Sequence, residues 1–140
     1  MKMKSKLGFF GAGKMAEGIV QAVAAVGTMP LGSVVMAETF PARAAEMAKR
    51  YGVQTTPDAA AVVKAADAIF LAVKPQDVAA LAAQVKPLLT EKKLVISIVA
   101  GKSLATLRKM FGVQVRLVRV MPNLLWPAGV MSAPPYAGAA

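Results

Sequence analysis

The stretch GFFGAGKMAEG, residues 8–18, decides how this chain folds. An apolar pair precedes Gly11, and a helix-like segment follows Gly13. Together with Ala16 these glycines give the spacing G-x-G-x-x-A, which is typical of a tight turn leading from a strand into a helix. The pattern alone is weak evidence, because a glycine bend without a ligand has the same residues. Its position among the other elements has to distinguish the two.

Apolar runs alternate with helix-period segments along the rest of the chain. Alternation of strands with helices of about 10–15 residues predicts βαβ units, and continuously apolar strands are typical of parallel strands buried on both faces. We therefore predict an α/β fold: a doubly wound parallel sheet of the Rossmann type in a single domain. The predicted strands are 6–11, 33–37, 53–55, 68–73, 93–100 and 113–121, and the predicted helices are 15–26, 41–52, 57–67, a segment beginning at Pro75, and 104–112 capped by Ser103.

The composition favours one domain with a large core and an anionic partner. The chain has 140 residues, 56% of them hydrophobic, with 17 Lys and Arg against 7 Asp and Glu, a formal charge of +10. Because the basic residues are scattered rather than gathered into one tract, we expect no nucleic-acid partner. A solvated surface remains the simpler interpretation of most of these charges.

Missing residue types exclude several kinds of chemistry. The sequence contains no Cys and no His, which excludes disulfides, zinc sites built from Cys and His, and His-based acid–base catalysis, and we expect no metal site. The longest apolar run, LVISIVA at 94–100, is far shorter than a membrane span. Glycines and Lys14 interrupt the apolar stretch where a secretory signal would need continuity. We expect a soluble, cytoplasmic protein with no membrane partner.

The glycine turn lies where a dinucleotide loop would lie, after the first predicted strand and at the start of the first predicted helix. Gly11 permits the tight turn, Gly13 lets the backbone approach a pyrophosphate, and Ala16 lets the helix pack on the sheet. The N–H groups at the start of the helix then face the phosphates, helped by the helix dipole. The context therefore favours a phosphate-binding turn over a structural bend.

Glu38 follows the second predicted strand, where an acidic residue commonly holds the ribose 2′-hydroxyl of NAD. A carboxylate there would repel the 2′-phosphate of NADP, so Glu38 favours NAD. Arg43 could offset this charge, but its place in a helix favours a solvated surface charge. The choice between NAD and NADP therefore stays open.

Four segments resemble the N-terminal half of pyrroline-5-carboxylate reductase. The resemblance covers residues 6–123 and implies NADPH- or NADH-dependent reduction of a cyclic imine, 1-pyrroline-5-carboxylate, to L-proline, the last step of proline synthesis. Hydride addition to a protonated imine needs positioning and a proton source but no covalent nucleophile and no His, so we assign no catalytic residue. The four segments are LGFFGAGKMAEGI (7–19), AIFLAVKPQDV (68–78), VISIVAGKSLATL (95–107) and VRVMPN (118–123).

The resemblance also implies which segments line the cofactor: residues 10–15, 72–75 and 99–101, with the turn 121–123 near the nicotinamide. Combined with the glycine turn and the acid after the second strand, it yields one set of cofactor-binding candidates. They are Phe10, Gly11, Ala12, Gly13, Lys14, Met15, Ala16, Glu38, Thr39, Ala72, Val73, Lys74, Pro75, Val99, Ala100, Gly101 and Asn123.

The chain departs from the family pattern at Ala59 and again after Asn123. Ala59 stands where members often have an Asn that contacts the cofactor ribose, and residues 124–126 read Leu-Leu-Trp where members usually continue with Thr-Pro and a glycine-rich turn. Members also continue into a helical domain that forms the dimer and supplies the pocket for the substrate carboxylate. We therefore expect residues 1–123 to be the NAD(P)-binding domain, and residues 124–140 to be an irregular tail of a truncated or frameshifted sequence.

Two functional hypotheses follow. The chain is either the cofactor half of a pyrroline-5-carboxylate reductase, or a non-catalytic NAD(P)-binding module or inactive fragment. On its own we expect it to bind nucleotide without appreciable reduction of 1-pyrroline-5-carboxylate. Full-length family members form homo-oligomers, and the oligomeric state of this chain stays open.

Overall fold

The computed structural model describes residues 6–27 and 29–120. Within them, six strands alternate with five α-helices. The strands are β1 (Leu7–Phe10), β2 (Val34–Ala37), β3 (Gln54–Thr56), β4 (Ala68–Leu71), β5 (Leu94–Ser97) and β6 (Arg116–Arg119). The helices are α1 (Lys14–Val26), α2 (Pro41–Tyr51), α3 (Ala59–Ala65), α4 (Val78–Val85) and α5 (Leu104–Phe111), with single 3₁₀ turns at Leu31–Ser33, Pro75–Asp77 and Lys86–Leu88.

All six strands form one parallel sheet in the order β3-β2-β1-β4-β5-β6. Phe10, the last residue of β1, is in register with Ala37 of β2 on one side and with Leu71 of β4 on the other. The chain therefore winds outward from β1 in one direction and then from β4 in the other, which is the doubly wound order. This confirms the predicted α/β fold with a parallel Rossmann-type sheet.

Helices cover the two faces of the sheet with separate apolar clusters. Phe10 and Ile69 belong to the cluster under α3, α4 and α5, whereas Phe9 and Met36 belong to the cluster under α1 and α2. Because neighbouring residues of β1 point to opposite covered faces, both phenylalanines are fully buried. Burial of each such side chain contributes about 1.5–3 kcal/mol to the stability of the sheet.

Gly8, inside β1, allows α3 to pack directly against the strand. A Cβ at this position would lie 2.6 Å from Val62 Cγ1 and 2.7 Å from Ala66 Cβ. A glycine inside a strand often marks such a close approach. The sequence pattern predicts the strand, but it does not reveal that this glycine is required by the helix above it.

Side-chain caps define the first residues of two helices, α3 and α5. The Asp58 carboxylate accepts a hydrogen bond from Ala60 N (3.0 Å), and Ser103 Oγ accepts one from Thr106 N (3.1 Å), which confirms the cap predicted at Ser103. The predicted helix at Pro75 is different: it begins as a 3₁₀ turn, and the α-helix starts only at Val78. The Asp77 N–H bonds to Lys74 O, which closes this tighter turn.

Candidate functional site

A cavity of about 910 Å³ opens at the carboxyl edge of the sheet, where the strand order reverses between β1 and β4. Ligands of doubly wound proteins bind at this edge, and the volume is typical of small-molecule sites. Residues after β1, β2 and β4 meet around it because the carboxyl ends of parallel strands share one edge. The predicted candidates that line the cavity are Phe10, Gly11, Ala12, Gly13, Lys14, Glu38, Thr39, Ala72, Val73 and Lys74.

The other predicted candidates lie off the cavity surface. Ala16 is fully buried in the cluster under α1, as its packing role requires. The segment 99–101 follows β5, the next strand beyond β4, and does not line the cavity. Met15 and Pro75 do not line it either. Asn123 and the turn 121–123 lie outside the described residues, as does the predicted tail 124–140.

The structure adds lining residues that were not among the predicted cofactor-binding candidates. Four of them have the spacing i, i+3, i+4, i+7: Asp77, the N-cap of α4, and Ala80, Leu81 and Gln84, which share the face of α4 that follows it. That spacing was a usable signal, since the helix follows a strand that ends at the cavity. The remaining additions are Ala37, Phe40, Arg43, Pro57, Ala59 and Gln76.

Gly11 is required by the protein itself. Its φ is +97°, and a Cβ there would lie 2.6 Å from the carbonyl oxygen of Ala72. Its N–H donates to Ala37 O at 2.8 Å, so the turn leaves β1 in contact with both neighbouring strands. Only glycine combines this backbone conformation with this close approach.

Gly13 is different, because nothing in the protein requires it. Its backbone is extended (φ −79°, ψ −168°), and no heavy atom in the described structure lies within 4 Å of the place where a Cβ would be. It is also the N-cap of α1, and no side chain of the described residues caps that helix. Free N–H groups, the positive end of the helix dipole and an open approach therefore coincide at the cavity.

The peptide groups on either side of Ala12 are held by two charged side chains. Glu38 Oε1 accepts a hydrogen bond from Ala12 N at 3.1 Å, and Glu38 Oε2 accepts one from Phe40 N at 3.1 Å. Arg43 Nε donates to Ala12 O at 2.5 Å. We call residues 11–13 and 38–43 the turn wall, because these bonds join the glycine turn to the segment after β2.

Arg43 also belongs to a charge cluster between α1 and α2. Its Nη2 lies 2.9 Å from Glu17 Oε1 and its Nη1 lies 2.9 Å from Glu46 Oε1, while Arg50 Nη1 lies 2.9 Å from Glu17 Oε2. The Tyr51 hydroxyl donates to Glu17 Oε2. Arg43 is therefore not the solvated charge that its helical position predicted: that interpretation is wrong, because α2 turns this residue inward onto α1.

These bonds shift the acidity of the two central groups. The Tyr51 hydroxyl, followed by the Arg43 guanidinium, lowers the pKa of Glu17, and these favourable contacts outweigh the burial that opposes them. The hydrogen bond to Glu17 raises the pKa of Arg43. Glu17 is only 9% exposed, so an ionised carboxylate is held inside the protein by three partners.

The opposite side of the cavity, residues 72–77, is built differently, and we call it the β4 wall. Ala72 and Val73 are half-buried, whereas Lys74, Gln76 and Asp77 are exposed. In the part of the chain that the structure describes, the side chains of these three polar residues make no hydrogen bond or ion pair. Their polar groups remain available to a ligand.

Two other features bear on the chemistry. Between residues 6 and 120, Thr28 aside, no three Asp or Glu side chains come together as ligands for a metal ion. Across the same residues, no helix is long and apolar enough to cross a membrane.

Comparison with known proteins identifies relatives of this arrangement. Residues 6–101 match the model of a family described as NADP oxidoreductase, coenzyme F420-dependent. The pyrroline-5-carboxylate reductase of Pisum sativum is 39% identical over 127 residues, which cover 91% of this chain and 45% of the relative. The chain spans about half the length of the curated relatives it matches.

Solved structures agree with this similarity. A pyrroline-5-carboxylate reductase from Coxiella burnetii is 33% identical with a TM-score of 0.81, over 86% of this chain and 45% of that one. The Plasmodium falciparum pyrroline carboxylate reductase, solved with NADP bound, is 26% identical with a TM-score of 0.76, over 88% of this chain and 44% of that one. The resemblance predicted from the sequence segments is confirmed.

Proposed function

This chain belongs to the family described as NADP oxidoreductase, coenzyme F420-dependent, and from that premise we propose that it is the cofactor-binding part of a pyrroline-5-carboxylate reductase. In this role it binds NADH or NADPH and presents the nicotinamide to 1-pyrroline-5-carboxylate, which is reduced to L-proline. The similarity to reductases of that name over most of the chain supports this substrate.

The open space at Gly13, next to the uncapped start of α1, is the observation that carries the proposal. The pyrophosphate fits there because a backbone without a Cβ can approach it closely while the helix N–H groups face its oxygens. Glu38 and Thr39 are placed at the adenosine ribose, and residues 72–75 at the nicotinamide half. Met15, Ala16, the segment 99–101 and Asn123 complete the proposed set as residues near the cofactor.

In this proposal, the residues of this chain bind the dinucleotide and orient its nicotinamide. A bound reduced nicotinamide supplies the hydride. Val73 and Leu81 give the cavity an apolar lining that displaces water, and the turn wall is already ordered by its own hydrogen bonds before the ligand binds. Holding the reacting carbons about 3–3.5 Å apart can lower the activation barrier by several kcal/mol. The main contribution of these residues to the reaction is therefore to position the nicotinamide accurately.

The test is a titration of the purified chain with NADH and with NADPH, followed by nicotinamide fluorescence, for the parent and for Gly13→Val. We expect the variant to lose about 30-fold or more in affinity, equivalent to about 2 kcal/mol, because the side chain occupies the pyrophosphate's space. Gly32→Val is the matched control: that glycine also has open space around it but lies away from the cavity. Unchanged affinity in Gly13→Val would exclude this cavity as the dinucleotide site.

A second assay tests whether the chain reduces the substrate on its own. Oxidation of NADH or NADPH is followed in the presence of 1-pyrroline-5-carboxylate. Turnover that Gly13→Val abolishes and Gly32→Val preserves supports the reductase. Tight binding of dinucleotide without turnover fits a cofactor-binding part that is inactive on its own, and it fits a non-catalytic module or inactive fragment equally well.

A further inference from the structure

An acidic residue after the second strand commonly favours a free ribose 2′-hydroxyl in this fold, as expected for Glu38. We propose that Glu17 adds to this selectivity for NADH over NADPH. Glu38 acts directly at the ribose 2′ position, and Glu17 acts indirectly by holding Arg43 away from it. This selectivity rests on the function proposed above, since it concerns the same dinucleotide site. Glu17 is a positioning residue, because it acts through Arg43 and does not line the cavity.

The Glu38 carboxylate is fixed at the cavity edge by two backbone N–H groups, one from the glycine turn and one from the segment after β2. A carboxylate can accept about four hydrogen bonds, so these two leave room for a 2′-hydroxyl to donate. A 2′-phosphate offers no such proton and brings a like charge against an anchored anion that cannot move away. The placement therefore favours a free 2′-hydroxyl.

Arg43 is the cation of the turn wall that could reverse this preference, but its charge is already balanced. Each of its three guanidinium nitrogens has a partner: the Ala12 carbonyl oxygen, Glu46 and Glu17. The cluster contains two carboxylates, Glu17 and Glu46, and two guanidinium groups, Arg43 and Arg50. Its net charge is zero, and Glu38 remains uncompensated.

No ion pair within 4.0 Å joins Arg43 to Glu38 in the described residues. The other cations that line the cavity, Lys14 and Lys74, begin α1 and follow β4, so neither belongs to the segment that follows β2. Glu38 itself forms no ion pair within 4.0 Å in the described residues, although the chain as a whole has a formal charge of +10.

Glu17 decides where Arg43 points. The side chain of Glu17 is 12% exposed, whereas that of Glu46 is 45% exposed and pairs with Arg43 only across one helical turn. Exposed pairs of that kind hold a side chain weakly. Without the charge of Glu17, the guanidinium group keeps one weak ionic partner and becomes available to a 2′-phosphate, a group that guanidinium binds well.

The experiment measures dissociation constants for NADH and NADPH and compares their ratio across variants of the full chain. We expect Glu38→Ser to shift the ratio towards NADPH about tenfold, as expected for exchanging a repulsive charge for a hydrogen-bonding hydroxyl. We expect Glu17→Gln to shift it in the same direction about threefold, a smaller effect because Glu38 remains. Gln can still accept the Tyr51 hydrogen bond, so the substitution removes chiefly the charge.

Arg43→Met separates the two contributions. In the parent it should leave the ratio unchanged, and in the Glu17→Gln background it should remove the gain for NADPH. Tyr51→Phe is the control, because it alters the surroundings of Glu17 but keeps the pair with Arg43. Should Glu17→Gln fail to fold, Glu46→Gln releases the exposed partner of Arg43 and should move the ratio the same way by a smaller factor.

Each outcome decides one point. A parent chain that binds neither dinucleotide overturns the proposed function and the selectivity with it. A parent that binds NADH, with a ratio that Glu38→Ser and Glu17→Gln leave unchanged, overturns the selectivity alone. A Glu17 that is merely structural would weaken both dinucleotides equally and leave the ratio constant, which also contradicts the proposal.

Discussion

The two walls of the cavity face the same ligand space but are built on opposite principles. In the turn wall, charged side chains bond to the protein: Glu38 and Arg43 hold the peptide groups around Ala12, and buried Glu17 holds Arg43. In the β4 wall, the apolar residues Ala72 and Val73 are followed by the exposed Lys74 and Asp77. The side chains of these two charged residues make no hydrogen bond or ion pair within the described ranges.

The difference shows that charge near a site can serve two purposes. A charge that is already paired shapes the backbone and stays in place when the ligand arrives, so the turn wall loses little freedom on binding. An unpaired, exposed charge contributes to the fold hardly at all and can instead meet the ligand. Substitutions that break the internal contacts of the turn wall should therefore change stability, whereas substitutions of the exposed charges in the β4 wall should change binding alone.

Gly11→Ala should distort the turn wall and cause the largest loss of stability among the variants considered. A Cβ at a φ of +97° and 2.6 Å from Ala72 O forces the turn to move, at a cost of about 2–4 kcal/mol in the free energy of unfolding. Urea denaturation measures this. Gly13→Ala is the matched control and should change stability by less than about 1 kcal/mol. Equal losses in the two variants would show that the two glycines do not have separate roles.

The sequence predicts the backbone of the site better than its side chains. The spacing of Gly11, Gly13 and Ala16 and the apolar strands correctly predict the turn at the switch point, because these depend on local patterns and on one general rule of parallel sheets. The position of Glu38 after β2 follows from the same rule. These parts of the molecule are predictable because each residue serves one local purpose.

The interior of the turn wall could not be predicted in the same way. Arg43 and Glu17 lie 26 residues apart in sequence, and they meet only because α1 and α2 pack on the same face of the sheet. From the sequence alone, each of these two residues is indistinguishable from an ordinary exposed charge on a helix. The close approach of α3 to Gly8 was missed for the same reason, since it depends on which helix covers β1.

Glu17→Gln should lower the free energy of unfolding by a smaller amount, about 1–3 kcal/mol at pH 7. The reason is that it leaves Arg43 and Arg50 without their buried charged partner. The effect depends on pH in a definite direction. The pKa of Glu17 is below its ordinary value of 4.5 in the folded protein, so the unfolded chain takes up a proton first as the pH falls. The stabilisation is complete above about pH 4.5 and is lost as the pH falls through the lower folded pKa.

Urea denaturation at pH 7 and between pH 5 and pH 3 tests this dependence. The gap in stability between the parent and Glu17→Gln should be widest at neutral pH and narrow on acidification. Glu46→Gln, which removes an exposed carboxylate from the same cluster, should show a smaller gap at pH 7. A gap that stays constant down to pH 3 would mean that the ionised form of Glu17 is not what stabilises the contact between α1 and α2.

Lys74→Met should have the smallest effect, confined to binding. Its side chain is exposed and lines the cavity, so its loss should leave the free energy of unfolding within about 0.5 kcal/mol of the parent. Affinity for NADH should fall about two- to fivefold at low salt, because one cation facing an anionic ligand is removed, and salt should erase the difference. Lys64→Met, on α3 and away from the cavity, is the control for the change in net charge. If both variants weaken binding equally, the general positive charge of the chain attracts the dinucleotide. If only Lys74→Met does, the free charges of the β4 wall act locally, which is what distinguishes that wall from the paired charges opposite.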